Sequence, residues 1–70
     1  MTAVYIEGRP KGYQGHPDHY VVEDRADNIL SQHKRQDEAI RWARNRGYSP
    51  IHIAHVRHTD KGNPDHWRPA

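Results

Sequence analysis

Gln36-Asp37-Glu38-Ala39-Ile40-Arg41-Trp42-Ala43-Arg44-Asn45-Arg46-Gly47 is the stretch on which the fold turns. Asp37 and Glu38 put negative charge where a helix N-terminus leaves N–H groups unpaired and its dipole positive. At about 100° per residue, Ala39, Ile40 and Ala43 form a narrow apolar stripe, with Glu38, Arg41 and Asn45 opposite. Trp42 falls at the border of the stripe, with Arg46 one turn later. Gly47 stands where a left-handed C-cap is expected. The pattern predicts one helix over 36–47 that needs a second layer to rest on.

The flanking sequence supplies that layer. Upstream, Asp18 to Asp24 is β-rich around Tyr20, Val21 and Val22, Arg25-Ala26-Asp27-Asn28 has turn chemistry, and Ile29 to His33 returns as an antiparallel partner. Thr2 to Glu7 reads as a further strand, with Val4 and Ile6 on one side and Tyr5 on the other. Gly8 to Pro17 contains three glycines and two prolines and reads as a loop. Downstream, Ser49-Pro50 can open a helix, which leaves 50–58 ambiguous. The β-branched residues of Ile51-His52-Ile53-Ala54-His55-Val56 favour a strand, with a bulge near Ala54 where the parity slips. From Thr59 onward the chain is polar and reads as irregular. The expected architecture is α+β: a small antiparallel sheet, ordered β-β-β-α-β or β-β-α-β, with one helix on one face. Residues 1–58 form the domain and 59–70 a tail.

Composition narrows the function. The 70 residues include ten large aliphatic side chains, no Phe, two Trp and four Tyr. A core of this size supplies roughly 3–5 kcal/mol of net stability, little from which to carve an enclosed catalytic cleft. A homodimer, or docking on a larger partner, is a natural remedy. Without Cys there is neither a disulfide nor a Cys-based zinc site. The N-terminal residues reach Glu7 too early for a signal peptide, and no apolar run approaches the roughly 20 residues that span a bilayer. A cytoplasmic protein with no membrane partner is expected.

The candidate chemistry is thin. Ser31 and Ser49 are the only serines, neither in a nucleophile elbow, and no Gly-rich loop has a phosphate-cradling pattern. His52, His55 and His58 recur every third position, which fits neither face of a strand, while His16, His19 and His33 could meet around a loop. Surface histidines are the better account. Gly-x-Pro-Asp-His-aromatic occurs twice, at 15–20 and 62–67, and reads as two similar turns whose aromatics, Tyr20 and Trp67, pack the exit onto the core. No enzyme activity, cofactor or metal is expected.

Charge points instead to binding. Residues 1–32 carry three basic and five acidic side chains, net −2; residues 33–56 carry five and two, net +3; residues 57–70 carry three and two, net +1. The candidate partner-binding set is Trp42 with Arg41, Arg44 and Arg46 on the helix, Arg57 after the last strand, and Trp67. Trp and Arg dominate interface hot spots. A protein partner is the first reading and nucleic acid the second, because basic residues beside a small sheet also suit a phosphate backbone.

From Tyr20 to Arg57 the layout resembles a group of short bacterial and phage proteins of undefined function, with a hairpin, a D-E-A-I-x-x-A-R helix and a strand ending in basic residues. The matching residues here are Asp37-Glu38-Ala39-Ile40, Ala43-Arg44, Ile51, Ile53 and Arg57. In size and architecture the chain is also similar to small phage anti-CRISPR proteins, which act by occluding a host nuclease complex. These resemblances imply a phage or mobile-element accessory protein, with an anti-defence inhibitor as one form.

Overall fold

The computed structural model describes residues 2–10, 17–56 and 58–70. Its elements are β1 (Val4–Arg9), β2 (His19–Glu23), β3 (Ile29–His33), α1 (Gln36–Asn45), β4 (Ile51–Ala54), a 3-10 turn (Pro64–His66) and β5 (Trp67–Pro69). The five strands form one sheet in the order β3-β2-β1-β4-β5. The fold is α+β with a single helix packed on the sheet, as the helical stripe requires.

The hairpin forms because its turn binds itself. Asp24 Oδ1 accepts from the N–H groups of Ala26 and Asn28 at 2.9 and 3.0 Å, and Asn28 Nδ2 donates to Asp24 Oδ2 at 3.0 Å. Asp27 takes the left-handed conformation, φ 69°, which short polar side chains tolerate. These hydrogen bonds to Asn28 and Ala26 hold the Asp24 carboxyl below its ordinary pKa.

The sheet is mixed rather than purely antiparallel. β1 pairs antiparallel with β2 and parallel with β4, aligning Val4 with Ile51, Tyr5 with His52 and Ile6 with Ile53. A parallel pair needs a crossover of a dozen or more residues, and the hairpin plus α1 supplies it. The helix runs from Gln36 to Asn45, with Arg46 as C-cap and Gly47 beyond it at φ 79°, a conformation that suits glycine. Val4, Ile6, Val22 and Ile51 form the floor on which wholly buried Ala39 and Ala43 rest. Their small side chains let the helix approach closely, while Tyr20, Leu30, Ile40, Trp42 and Tyr48 pack around the edge.

Two expectations for the second half need correction. The ambiguous stretch after Ser49-Pro50 does form a strand, but only over Ile51–Ala54: the parity slip at Ala54 marks the end of β4, not a bulge, and the register shift lies between Val22 and Glu23. The segment from Thr59 is not an irregular tail. Asn63 Oδ1 accepts from the Asp65 N–H at 3.0 Å and caps the 3-10 turn, after which β5 pairs with β4. It becomes an edge strand with no outward N–H left to donate. Pro69 has no N–H, the Trp67 N–H bonds the Pro64 carbonyl, and the Ala70 N–H faces inward to Ile51 O at 3.1 Å.

Candidate binding surfaces

Strand alternation divides the side chains between two faces of the sheet. On the helix side, Trp42 is half-buried in a row of rings. Its centroid lies 5.8 Å from both His33 and Tyr48, and the Arg46 guanidinium sits 4.9 Å over the indole. Arg41, Arg44 and Arg46 are exposed. Among the described residues none of the three has an ion-pair partner; the one ion pair made by a helix residue is the exposed Arg35–Asp37 contact at 3.2 Å. The outer surface of α1 therefore presents the guanidinium groups of Arg41 and Arg44 without ion-pair partners among the described residues, with Arg46 stacked on the half-buried indole at its border.

Trp67 does not belong to this surface, contrary to the expectation that grouped it with the helix arginines. It lies on the other face, 8% exposed, its ring edge-on to Tyr5 at 4.9 Å and its Nε1 donating to the Asp60 carbonyl at 3.0 Å. Trp42 and Trp67 are thus separated by the sheet and do not pack together. Arg57 and His16 lie outside the described residues, and with them one candidate contact each.

The Trp67 face holds a polar cluster that the sequence reading missed. Glu7 and Glu23, on β1 and β2, are 3% and 4% exposed. Arg9 Nη2 donates to Glu7 Oε1 at 3.1 Å and to Glu23 Oε2 at 2.7 Å. Residues 59–62 cross over this face: Thr59 Oγ1 donates to Glu7, and Lys61 Nζ donates to Asp27 and, at 3.3 Å, to Glu23. Lys61 also lies 5.4 Å over the Tyr5 ring, whose other contacts are His52, stacked at 4.7 Å, and the edge-on Trp67. Burial, and then a hydrogen bond with the Glu7 carboxyl, raise the Glu23 pKa above the ordinary carboxylate value against the pull of Lys61 and Arg9. Burial pushes the Lys61 ammonium down, but its bonds and attraction to Asp27 and Glu23 outweigh this and raise it. These groups are spent on one another, which makes the cluster a clasp for residues 59–62.

The histidines are distributed. His33 Nε2 lies 2.8 Å from Ser31 Oγ, His66 Nδ1 accepts from the Asp60 N–H at 3.0 Å, and His52 stacks on Tyr5. Among the described residues no group of three or more His, Cys, Asp or Glu side chains is placed to share a metal ion. Among the described residues no helix is long and apolar enough to cross a membrane.

Comparison with known family models, with curated proteins and with solved structures finds no match for this chain.

Proposed function

We propose that the protein is a non-enzymatic binding module that docks the outer surface of α1 against an acidic patch on a protein partner. The observation that carries this reading is the Arg46 guanidinium stacked 4.9 Å over Trp42, with exposed Arg41 and Arg44 on the same helix and no carboxylate pairing any of them among the described residues. Indole–guanidinium pairs can be desolvated at modest cost because arginine is weakly hydrated, and both residue types are enriched where binding energy concentrates. Occlusion by such a surface is the mode of action that the resemblance to small phage inhibitors implies, and an accessory role of that kind belongs to this reading. Nucleic acid is the competing class, supported by the same arginines.

Crosslinking and mass spectrometry in cells that express the protein naturally test the proposal. Crosslinks to one protein should centre on α1. Trp42→Ala should weaken that complex by about 2 kcal/mol or more if the indole is a hot spot, and Trp42→Phe by less. Circular dichroism must show both variants folded, since Trp42 also packs on the core. Added salt should slow association while leaving dissociation nearly unchanged. Sub-micromolar binding to DNA or RNA that collapses with salt, and that loses its salt slope in an Arg41→Ala, Arg44→Ala, Arg46→Ala variant, would replace the protein partner with a phosphate backbone.

A further inference from the structure

The two edges of the sheet end differently. At one, β5 has Pro69 and inward-turned N–H groups; at the other lies β3, and among the described residues no strand pairs with its outer side. In an antiparallel pair every second residue turns its N–H and C=O away from its neighbour, so β3 carries outward backbone groups. Folded chains guard such edges with proline, lysine or bulges. β3 contains no proline, lysine or arginine. Its one irregularity, the register shift opposite Val22 and Glu23, lies at the turn end and leaves Ser31 to His33 regular. Ile29 is 51% exposed, more than any other large hydrophobic side chain among the described residues, and Gln32 is exposed as well. The two ends of the strand carry opposite charge. Asp27 precedes it, bonded to Lys61 yet with 79% of its side chain exposed. Exposed Lys34 and Arg35 follow it. Lys34 makes no ion pair among the described residues, and Arg35 makes only the exposed contact with Asp37.

We propose that β3 pairs antiparallel with the β3 of a second copy of this chain, joining the two sheets into one. Antiparallel pairing brings each copy's Asp27 towards the other's Lys34 and Arg35, whereas parallel pairing would set like charges side by side. It also moves both Ile29 side chains out of water and puts Gln32 close to the two-fold axis. That axis is normal to the sheet, so both helices stay on one face of the joined sheet. The contact is isologous and closes at two copies, because β5 has no outward N–H to extend the array. An interface one strand wide falls short of the roughly 1,200 Å² of stable complexes. The dimer is therefore reversible, half formed at about 10–100 µM chain. The inference is independent of the outer surface of α1, which the pairing does not use.

The test follows the full chain by sedimentation equilibrium and amide chemical shifts from about 1 µM to about 1 mM, a range that brackets the expected constant. The wild type should pass from monomer to dimer and stop there. Shifts on dilution should centre on residues 29–35 and spare β5 and the outer surface of α1. In a sample that mixes isotope-labelled and unlabelled copies, intermolecular NOEs should join β3 to β3. Gln32→Lys and Gln32→Glu each set like charges against one another at the two-fold axis, and each should weaken the dimer at least about tenfold. Both should melt as the wild type does at about 1 µM, where each is monomeric. An equimolar mixture of the two variants should associate again, because unlike charges then meet. A monomer at about 1 mM, assembly beyond two copies, shifts or NOEs centred on α1 or β5, a dimer indifferent to both variants, or a mixture that fails to reassociate would each overturn the proposal.

Discussion

Glu23 is the residue whose environment has the clearest consequence in solution. Its carboxyl is buried, hydrogen-bonded with Glu7 and only partly compensated by Lys61 and Arg9, so its folded-state pKa stands above its unfolded one. Between those two values the folded protein holds a proton that the unfolded chain has released. Stability contributed by this group is therefore full below the ordinary carboxylate range, about pH 4, and falls as pH rises through the raised value. Glu23→Gln keeps the shape and removes the titration. Thermal melts of the two proteins across pH 4 to 7 should show the Gln variant gaining on the wild type as pH rises. If the Gln variant instead falls behind as pH rises, the ion pairs with Lys61 and Arg9 outweigh the burial cost, and the direction assigned to Glu23 is wrong. No local pattern announces this cluster. Glu7 and Glu23 read as ordinary polar positions of two strands, and Thr59 and Lys61, which close over them, lie in a stretch with no periodicity at all. Only the register of β1 against β2, together with the return of residues 59–62 across the sheet, brings them together.

At the scale of elements, α1 was legible because everything that defines it is local: acidic residues at its start, an apolar stripe of Ala39, Ile40 and Ala43, and Gly47 after its end. The hairpin was legible for the same reason, through Asp24 and Asn28. The parallel β1–β4 pair was not, because a pairing between segments some 47 residues apart leaves no trace in either segment's own pattern, and β5 was not, because its three residues in a polar stretch are too few to show a strand period. Trp67 was misplaced for a related reason: it sits in a polar stretch whose burial is decided by Tyr5, far away in sequence. The helix also has a defect that can be repaired. Its N-cap, Arg35, has the extended conformation of a capping residue, φ −128° and ψ 146°, but its side chain makes no capping bond and instead reaches out to exposed Asp37. An exposed pair of that kind contributes little. Arg35→Asn should supply the missing acceptor and stabilise the protein by about 1 kcal/mol, which for a domain of this size raises the melting temperature by roughly 4–8 °C. An unchanged or lower melting temperature would mean that the Asn side chain is not reaching the first-turn N–H groups.

For the molecule as a whole, the sheet insulates two surfaces that draw on different residues, so recognition and stability should be separable by mutation. The helix arginines are exposed and make no ion pairs among the described residues, and reversing their charge removes no packed contact. Arg41→Glu combined with Arg44→Glu should therefore change stability only slightly, within about 0.5 kcal/mol per site, while abolishing capture of an acidic protein partner. Trp67→Phe should do the reverse. It keeps a ring against Tyr5 but deletes the Nε1 donor, removing the bond that ties the Asp60 carbonyl to the buried indole and loosening the cover over Glu7 and Glu23. Loss of a hydrogen bond of this kind costs about 0.5–1.5 kcal/mol, which chemical denaturation of so small a domain resolves as a shift in midpoint. Partner affinity, measured where both proteins remain folded, should be untouched. Residues this far apart and without shared neighbours should also combine additively. A protein carrying all three changes should thus show the stability of Trp67→Phe and the binding of the charge-reversed helix. Loss of partner binding in Trp67→Phe alone, with the fold intact, would place the interface on the clasped face or across both, and the assignment of recognition to α1 would fall.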